Sequence, residues 1–250
     1  MNYGMYVSAA GALANTFRQD VIANNLANAD TVGFKKDLAM LTSRPTEVGE
    51  GGQRRYSTAL LEKLGGGLFA LPTHTDYAPA GIEPTENPYD VALLSEGFYQ
   101  VQTGDEIAYT RDGRFLRDQQ NRLVTLTGNY PVLDAQGNPI ELDPTIDDFH
   151  VAESGLIFQE GEPLGQLGIV NFSDKGQLRK QGANLFTTEG NTTPTPAVAR
   201  VKQGYIEESG VEPVREMVDM IHAQRMFQTN ISMMRLQDET MAEMIRRTAG

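Results

Sequence analysis

The sequence predicts an α+β protein: a helix at each end of the chain, the two paired as a coiled-coil domain, and an all-β domain of hairpins inserted between them. Three observations carry that prediction. Near the N-terminus, Tyr6, Ala10, Leu13, Phe17 and Val21 are separated by four, three, four and four positions, the spacing of one helical face. From Val214 onward there is no proline, and no glycine before Gly250, while Met220, Phe227, Met234 and Met241 stand seven apart. Between these regions, short apolar runs alternate with tight-turn residues, the pattern of strands and hairpins.

The first element covers residues 6–28, where alanine is frequent and proline absent. It is predicted to end between Asn28 and Gly33, because Asn tolerates and Gly freely adopts the left-handed backbone that closes a helix. Periodicity then dissolves over residues 43–88. Pro45, Pro72, Pro79, Pro84 and Pro88 mix there with Gly49, Gly51, Gly52 and Gly65-Gly66-Gly67, which predicts a loop longer than an ordinary connector. The chain is thus expected to divide into 1–42, 43–88, 89–203 and 204–250.

Within residues 89–203 one local pattern recurs: an apolar residue, then Asp, then Gly or Asn, then an apolar residue. It occurs at Asp118 to Asn121, Asp134 to Gly137 and Asp174 to Gly176. Each is predicted to be a tight turn between two strands, with Asp bonding back to the backbone. None has the alternating acids, central Gly and closing Glu of a calcium loop.

In the last element a second row, Met217, Gln224, Ile231, Asp238 and Ile245, also stands seven apart. Together the rows predict a narrow a/d seam that packs on another helix rather than on a broad core, with Gln224 and Asp238 as polar register devices. The economical arrangement pairs the two terminal helices and packs that pair against neighbouring copies. Isolated helices are marginal in water, so the ends are expected to be weakly ordered in the monomer and to lock on assembly. The candidate interface is Leu13, Phe17 and Val21 on the first helix and Met220, Phe227, Ile231, Met234 and Met241 on the last. Asn24 and Asn28, four apart on one helical face, either bond a neighbouring copy or terminate the helix.

Composition narrows the function. The chain has no cysteine, which excludes disulfides, thiolate nucleophiles and cysteine metal sites. Its net charge is −12. Residues 1–42 balance to zero, so the acidic excess lies further along the chain, where it repels nucleic acid and anionic lipid. No apolar run approaches the ~18 residues of a membrane span. The opening residues lack the features of a cleaved leader, so export, if it occurs, is expected by a route that removes none. The histidines, His74, His150 and His222, stand without a companion nucleophile or second ligand. The adjacent acids Asp147 and Asp148 would point to opposite faces of a strand. No phosphate loop or dinucleotide fingerprint is present. A non-enzymatic protein is expected, with no cofactor, metal or small-molecule substrate.

The segment Ala23-Asn24-Asn25-Leu26-Ala27-Asn28-Ala29-Asp30-Thr31-Val32-Gly33-Phe34-Lys35 resembles the N-terminal signature of the flagellar rod and hook axial proteins. Two further blocks agree with it. Tyr109-Thr110-Arg111-Asp112-Gly113-Arg114-Phe115, followed by residues 123–128, resembles that family's β-domain repeat. Residues 201–211, containing Tyr205-Ile206-Glu207-Glu208, lead into the last helix as family members do. The resemblance implies a structural subunit that leaves through the flagellar export apparatus and assembles helically across the periplasm with other rod subunits and copies of itself. It also implies an inner coiled-coil domain lining a central channel. Residues 37–45 lack the aromatic-rich stretch of distal-rod members, and Tyr3-Gly4-Met5-Tyr6 looks more like proximal-rod members. Distal-rod membership, or a secreted β-rich binding module oligomerised by its helices, is the alternative.

Overall fold

The first helix, α1, spans Tyr3–Ala27, and the last, α2, spans Pro213–Thr248. After α1 the chain turns as expected: the Thr31 N–H bonds the Asn28 carbonyl at 3.1 Å, and Gly33 takes a φ of 68°. Pro213 opens α2 at the position where a missing N–H costs nothing, and Glu216 places an acid in its first turn. This computed structural model describes residues 3–44, 67–104, 106–146, 148–189, 192–198 and 200–248. Much of the predicted 43–88 loop, residues 45–66, lies outside the described residues, as does Asp147.

The chain forms two compact units. The first comprises residues 1–27, 37–74 and 212–250, and the second comprises 28–36 and 75–211. The expected boundaries at 42 and 204 thus fall elsewhere. Residues 28–36 and 204–211 belong to the second unit because they bond to each other and to its strands. The Gly33 N–H bonds the Glu207 carbonyl at 2.8 Å and the Gly210 N–H bonds the Phe34 carbonyl at 2.8 Å. Strand Tyr205–Glu207 pairs antiparallel with Ile82–Pro84.

In the first unit, α1 and α2 pack along each other, and a short antiparallel ladder joins Leu41–Ser43 to Leu68–Ala70. In the second unit, a six-stranded sheet runs in the order Leu178–Gly182, Leu185–Thr188, Glu106–Thr110, Phe98–Thr103, Ile169–Asn171, Thr195–Pro196. Alternation across the pleat sends Tyr99 and Val101 into one apolar cluster with Leu123, Val132 and Ile157. Phe98 points the other way, into a second cluster with Tyr109, Phe172 and Phe186. The second face is closed by edge-on aromatic contacts, such as Tyr109 on Phe172 at 4.8 Å between centroids.

Two of the three predicted turns form as hairpin corners. Asp118 Oδ1 accepts from the Gln120 and Arg122 amides at 2.9 and 2.8 Å, and Asn121 takes φ 61°. The Asp134 carboxylate likewise accepts from the Gln136 and Asn138 amides. The third differs. Asp174 caps a 3-10 turn, Lys175–Gln177, that connects Ile169–Asn171 to Leu178–Gly182, strands not adjacent in the sheet. A local turn signal reports the bend but not which strand receives the chain.

Candidate assembly interface

α1 and α2 run antiparallel. A Cβ built on Gly4 would lie 2.8 Å from Gln237 Nε2, and one on Gly11 would lie 3.1 Å from Asn230 Nδ2. At the other end, Arg18 Nη2 is 3.7 Å from Asp219 Oδ1. Glycines seven apart on α1 thus face amides seven apart on α2, a close approach that only the missing Cβ permits. Around them α1 contributes the buried Ser8, Ala12 and Ile22.

On α2 the row Met220, Phe227 and Met234 is half-buried, while Met241 is at the margin of exposure. The companion row is not the predicted one. Met217, Gln224, Asp238 and Ile245 are exposed, and only Ile231 is half-buried. Their place is taken by Ala223, Asn230 and Gln237, one residue earlier in each heptad. Gln224 and Asp238 are therefore not the polar seam residues; Asn230 and Gln237 are. The signal lay in the matching seven-residue spacings Gly4/Gly11 and Asn230/Gln237, which an apolar count overlooks.

The N-terminal row is corrected in the same way. Val21 is buried and Phe17 half-buried, but Leu13 is 72% exposed and Tyr6 48%. Close-packed helices favour small residues where they touch, and Tyr6 and Leu13 are turned outward. Exposed apolar residues continue along α2 at Val218, Ile221, Met226, Met233, Leu236 and Met244. A helix pair with this much uncovered apolar surface has the makings of an interaction site.

The motif residues 23–35 divide by role. Ala23 and Ala27 are exposed and Leu26 half-buried, and Asn24 is exposed. Asn25 is 2% exposed and clasps the Asp37 backbone, donating to its carbonyl at 2.8 Å and accepting from its amide at 2.9 Å. Asn28 closes the turn, its carbonyl also accepting from Ser209 Oγ at 2.9 Å. A Cβ on Gly33 would stand 2.8 Å from the Arg111 carbonyl carbon. Phe34 is covered by Lys180, whose Nζ sits 4.2 Å above its ring centroid.

Sequence reasoning missed one feature. Lys35, Arg111 and Glu207, one from each of the three quoted blocks, meet inside the second unit with relative exposures of 1, 2 and 1%. Lys35 Nζ donates to Glu207 Oε1 at 2.7 Å and Arg111 Nε donates to Oε2 at 2.8 Å. Further donors and acceptors complete the site: the Ala80 amide on Oε1, and the Ala78, Ser95 and Gly97 carbonyls around the two cations. Burial lowers the Lys35 pKa below the ordinary lysine value, and the Glu207 carboxylate counters part of that shift. Fully bonded on every side, the cluster is a structural tie between the segment after α1 and the segment before α2. The charges within three separate blocks were visible, but their meeting was not.

His74, His150 and His222 are exposed. Among the described residues, no group of three or more His, Asp or Glu is placed to hold a metal ion.

Three family models match the chain: flagella basal body rod protein over residues 5–35, flagellar hook protein FlgE/F/G D1 domain over 92–159, and flagellar basal body rod FlgEFG protein C-terminal over 202–247. Curated relatives span nearly the whole chain. The flagellar basal-body rod protein FlgF of Caulobacter vibrioides is 32% identical over 237 residues, covering 94% of this chain and 93% of the relative. FlgG of Bacillus subtilis is 30% identical over 257 residues, covering 96 and 97%. FlgF of Mesorhizobium japonicum is 33% identical over 239 residues, covering 94 and 93%.

Proposed function

We propose an assembly mechanism for a chain that belongs to the flagellar basal-body rod protein family and is a structural subunit of the basal body: it polymerises helically through its terminal helices, which act as a coiled-coil inner domain lining the export channel of the rod. The observation that carries this reading is the division of labour on α1 and α2. Their mutual contact brings Gly4 and Gly11 against Gln237 and Asn230 beside the half-buried Met220, Phe227 and Met234, while Tyr6, Leu13, Ile221, Met226 and Leu236 stay exposed. A pair that satisfied itself would leave fewer large apolar residues uncovered.

The partners are other rod subunits and copies of this chain, and the flagellar export apparatus delivers it. The proximal rod is its position. That placement rests on residues 37–45, which carry no aromatic, since relatives under two rod-protein names match at nearly equal identity.

Leu13→Asp tests the mechanism. Leu13 is exposed in the chain by itself, so the substitution should leave thermal stability within about 0.5 kcal/mol, as surface changes do. Rods and motility should be lost when the variant replaces the natural chain. Normal rods built from this variant would show that α1 does not face a neighbour.

A further inference from the structure

The sulfur of this chain is confined to one of its two units. There is no cysteine, so the ten methionines carry all of it. Seven of the ten stand on α2, and the remaining three, Met1, Met5 and Met40, lie in the same unit. Residues 28–36 and 75–211, which make the second unit, contain none. An oxidant that attacks thioethers therefore finds its targets in the helical unit alone.

Along α2 the methionines fall into two classes. Met220 and Met234 are half-buried in the seam against α1, whereas Met217, Met226, Met233 and Met244 are 48, 59, 47 and 58% exposed. Met226 and Met233 stand seven apart, two helical turns, and so share one flank of the seam. An oxidant must reach the sulfur to react, so the exposed class is the reactive one.

We propose that the exposed methionines of α2 are a modification site: in the free subunit a peroxide-class oxidant converts Met226 and Met233 to sulfoxides, which closes this flank of the helix to a neighbouring subunit. The thioether sulfur attacks one peroxide oxygen and the O–O bond breaks. Sulfur gives up two electrons and keeps that oxygen, and the other oxygen leaves as water. The product is polar where the thioether was apolar. In the free chain the sulfoxide stays in water, so the fold tolerates it. A contact that covers it must bury a polar oxygen, which is unfavourable unless a donor meets it. The second unit, lacking sulfur, is unaffected, so the oxidised chain is folded yet unable to join. A sulfoxide reductase that draws on a dithiol reverses the change, returning the oxygen as water. The effect on assembly rests on the proposed function, whereas the pattern of oxidation rests on exposure alone.

The full-length chain and isolated basal bodies are treated with the same dose of hydrogen peroxide, and sulfoxides are located by peptide mass spectrometry. In the free chain Met226 and Met233 should oxidise before Met220 and Met234, and in the rods that oxidation of Met226 and Met233 should be lost. Seam methionines that oxidise as fast as the exposed ones, or rods in which Met226 and Met233 still oxidise, overturn the proposal. A chain carrying Met226→Gln and Met233→Gln then holds a polar group permanently in place of the sulfoxide. Glutamine is as good a helix former as methionine, so the circular dichroism should be unchanged while rods and motility are lost. Normal rods built from this variant overturn the proposal as well. If Leu13→Asp blocks rods while the glutamine variant builds them, only the modification site falls. If both variants build rods, assembly through the terminal helices falls with it.

Discussion

Glu207 accepts four hydrogen bonds, from Lys35 Nζ, Arg111 Nε, Arg111 Nη2 and the Ala80 amide. Two cations depend on this one carboxylate, and that dependence orders the effects of substitution. Glu207→Gln keeps the shape but leaves both cations buried without a counter-charge, and should cost about 3–5 kcal/mol. Lys35→Met should cost less, because Arg111 still neutralises Glu207 and the methionine fills the same space. Urea unfolding of the two variants checks the order; equal losses would mean that the cluster does not act through charge pairing. Nothing about Lys35 as a residue in a sequence announces this role. Lysine is rarely buried unless paired, and its partner stands 172 positions away.

At the scale of the element, the two helices illustrate how a heptad count succeeds and where it stops. The row Met220, Phe227, Met234 does lie on the side of α2 toward α1. A seven-residue repeat fixes one row of a seam, but whether its companion lies three or four residues away depends on the partner's shape. Here α1 offers Gly4 and Gly11, and the companion row is the one whose amides can lie flat across glycine. Phe227→Asp places a carboxylate in this half-buried seam and should separate the helices, so that rods fail to form. The second unit should stay folded, because its core draws on Tyr99, Val101, Leu123 and Ile157 and on no helix residue. Circular dichroism should therefore lose helix and keep its strand signal. A variant that retains its helical signal and still builds rods would remove the seam from the mechanism.

At the scale of the whole molecule the two units are stabilised differently. Among the described residues, the second holds 17 buried residues in its main apolar cluster, whereas α2 buries only Ala223 fully. Local stability follows such burial. Amide exchange in the isolated chain should therefore be fast along α1 and α2 and slow at Tyr99, Val101 and Leu123, and the helices should become protected once rods form. Equal protection of the helices before and after assembly would contradict locking on assembly. By itself the sequence determined the α+β class, the two terminal helices, the turn after Ala27, two of the three hairpin corners and the likeness to the rod proteins. Each of these is written locally, in periodicity, in turn chemistry or in a contiguous motif. Only the tertiary structure decided that residues 28–36 and 204–211 belong with the strands, that Leu13 faces outward, and that Lys35, Arg111 and Glu207 form one buried cluster. Those outcomes depend on which distant segments come together, and a hydrogen bond between positions 35 and 207 leaves no periodic trace in the chain that makes it.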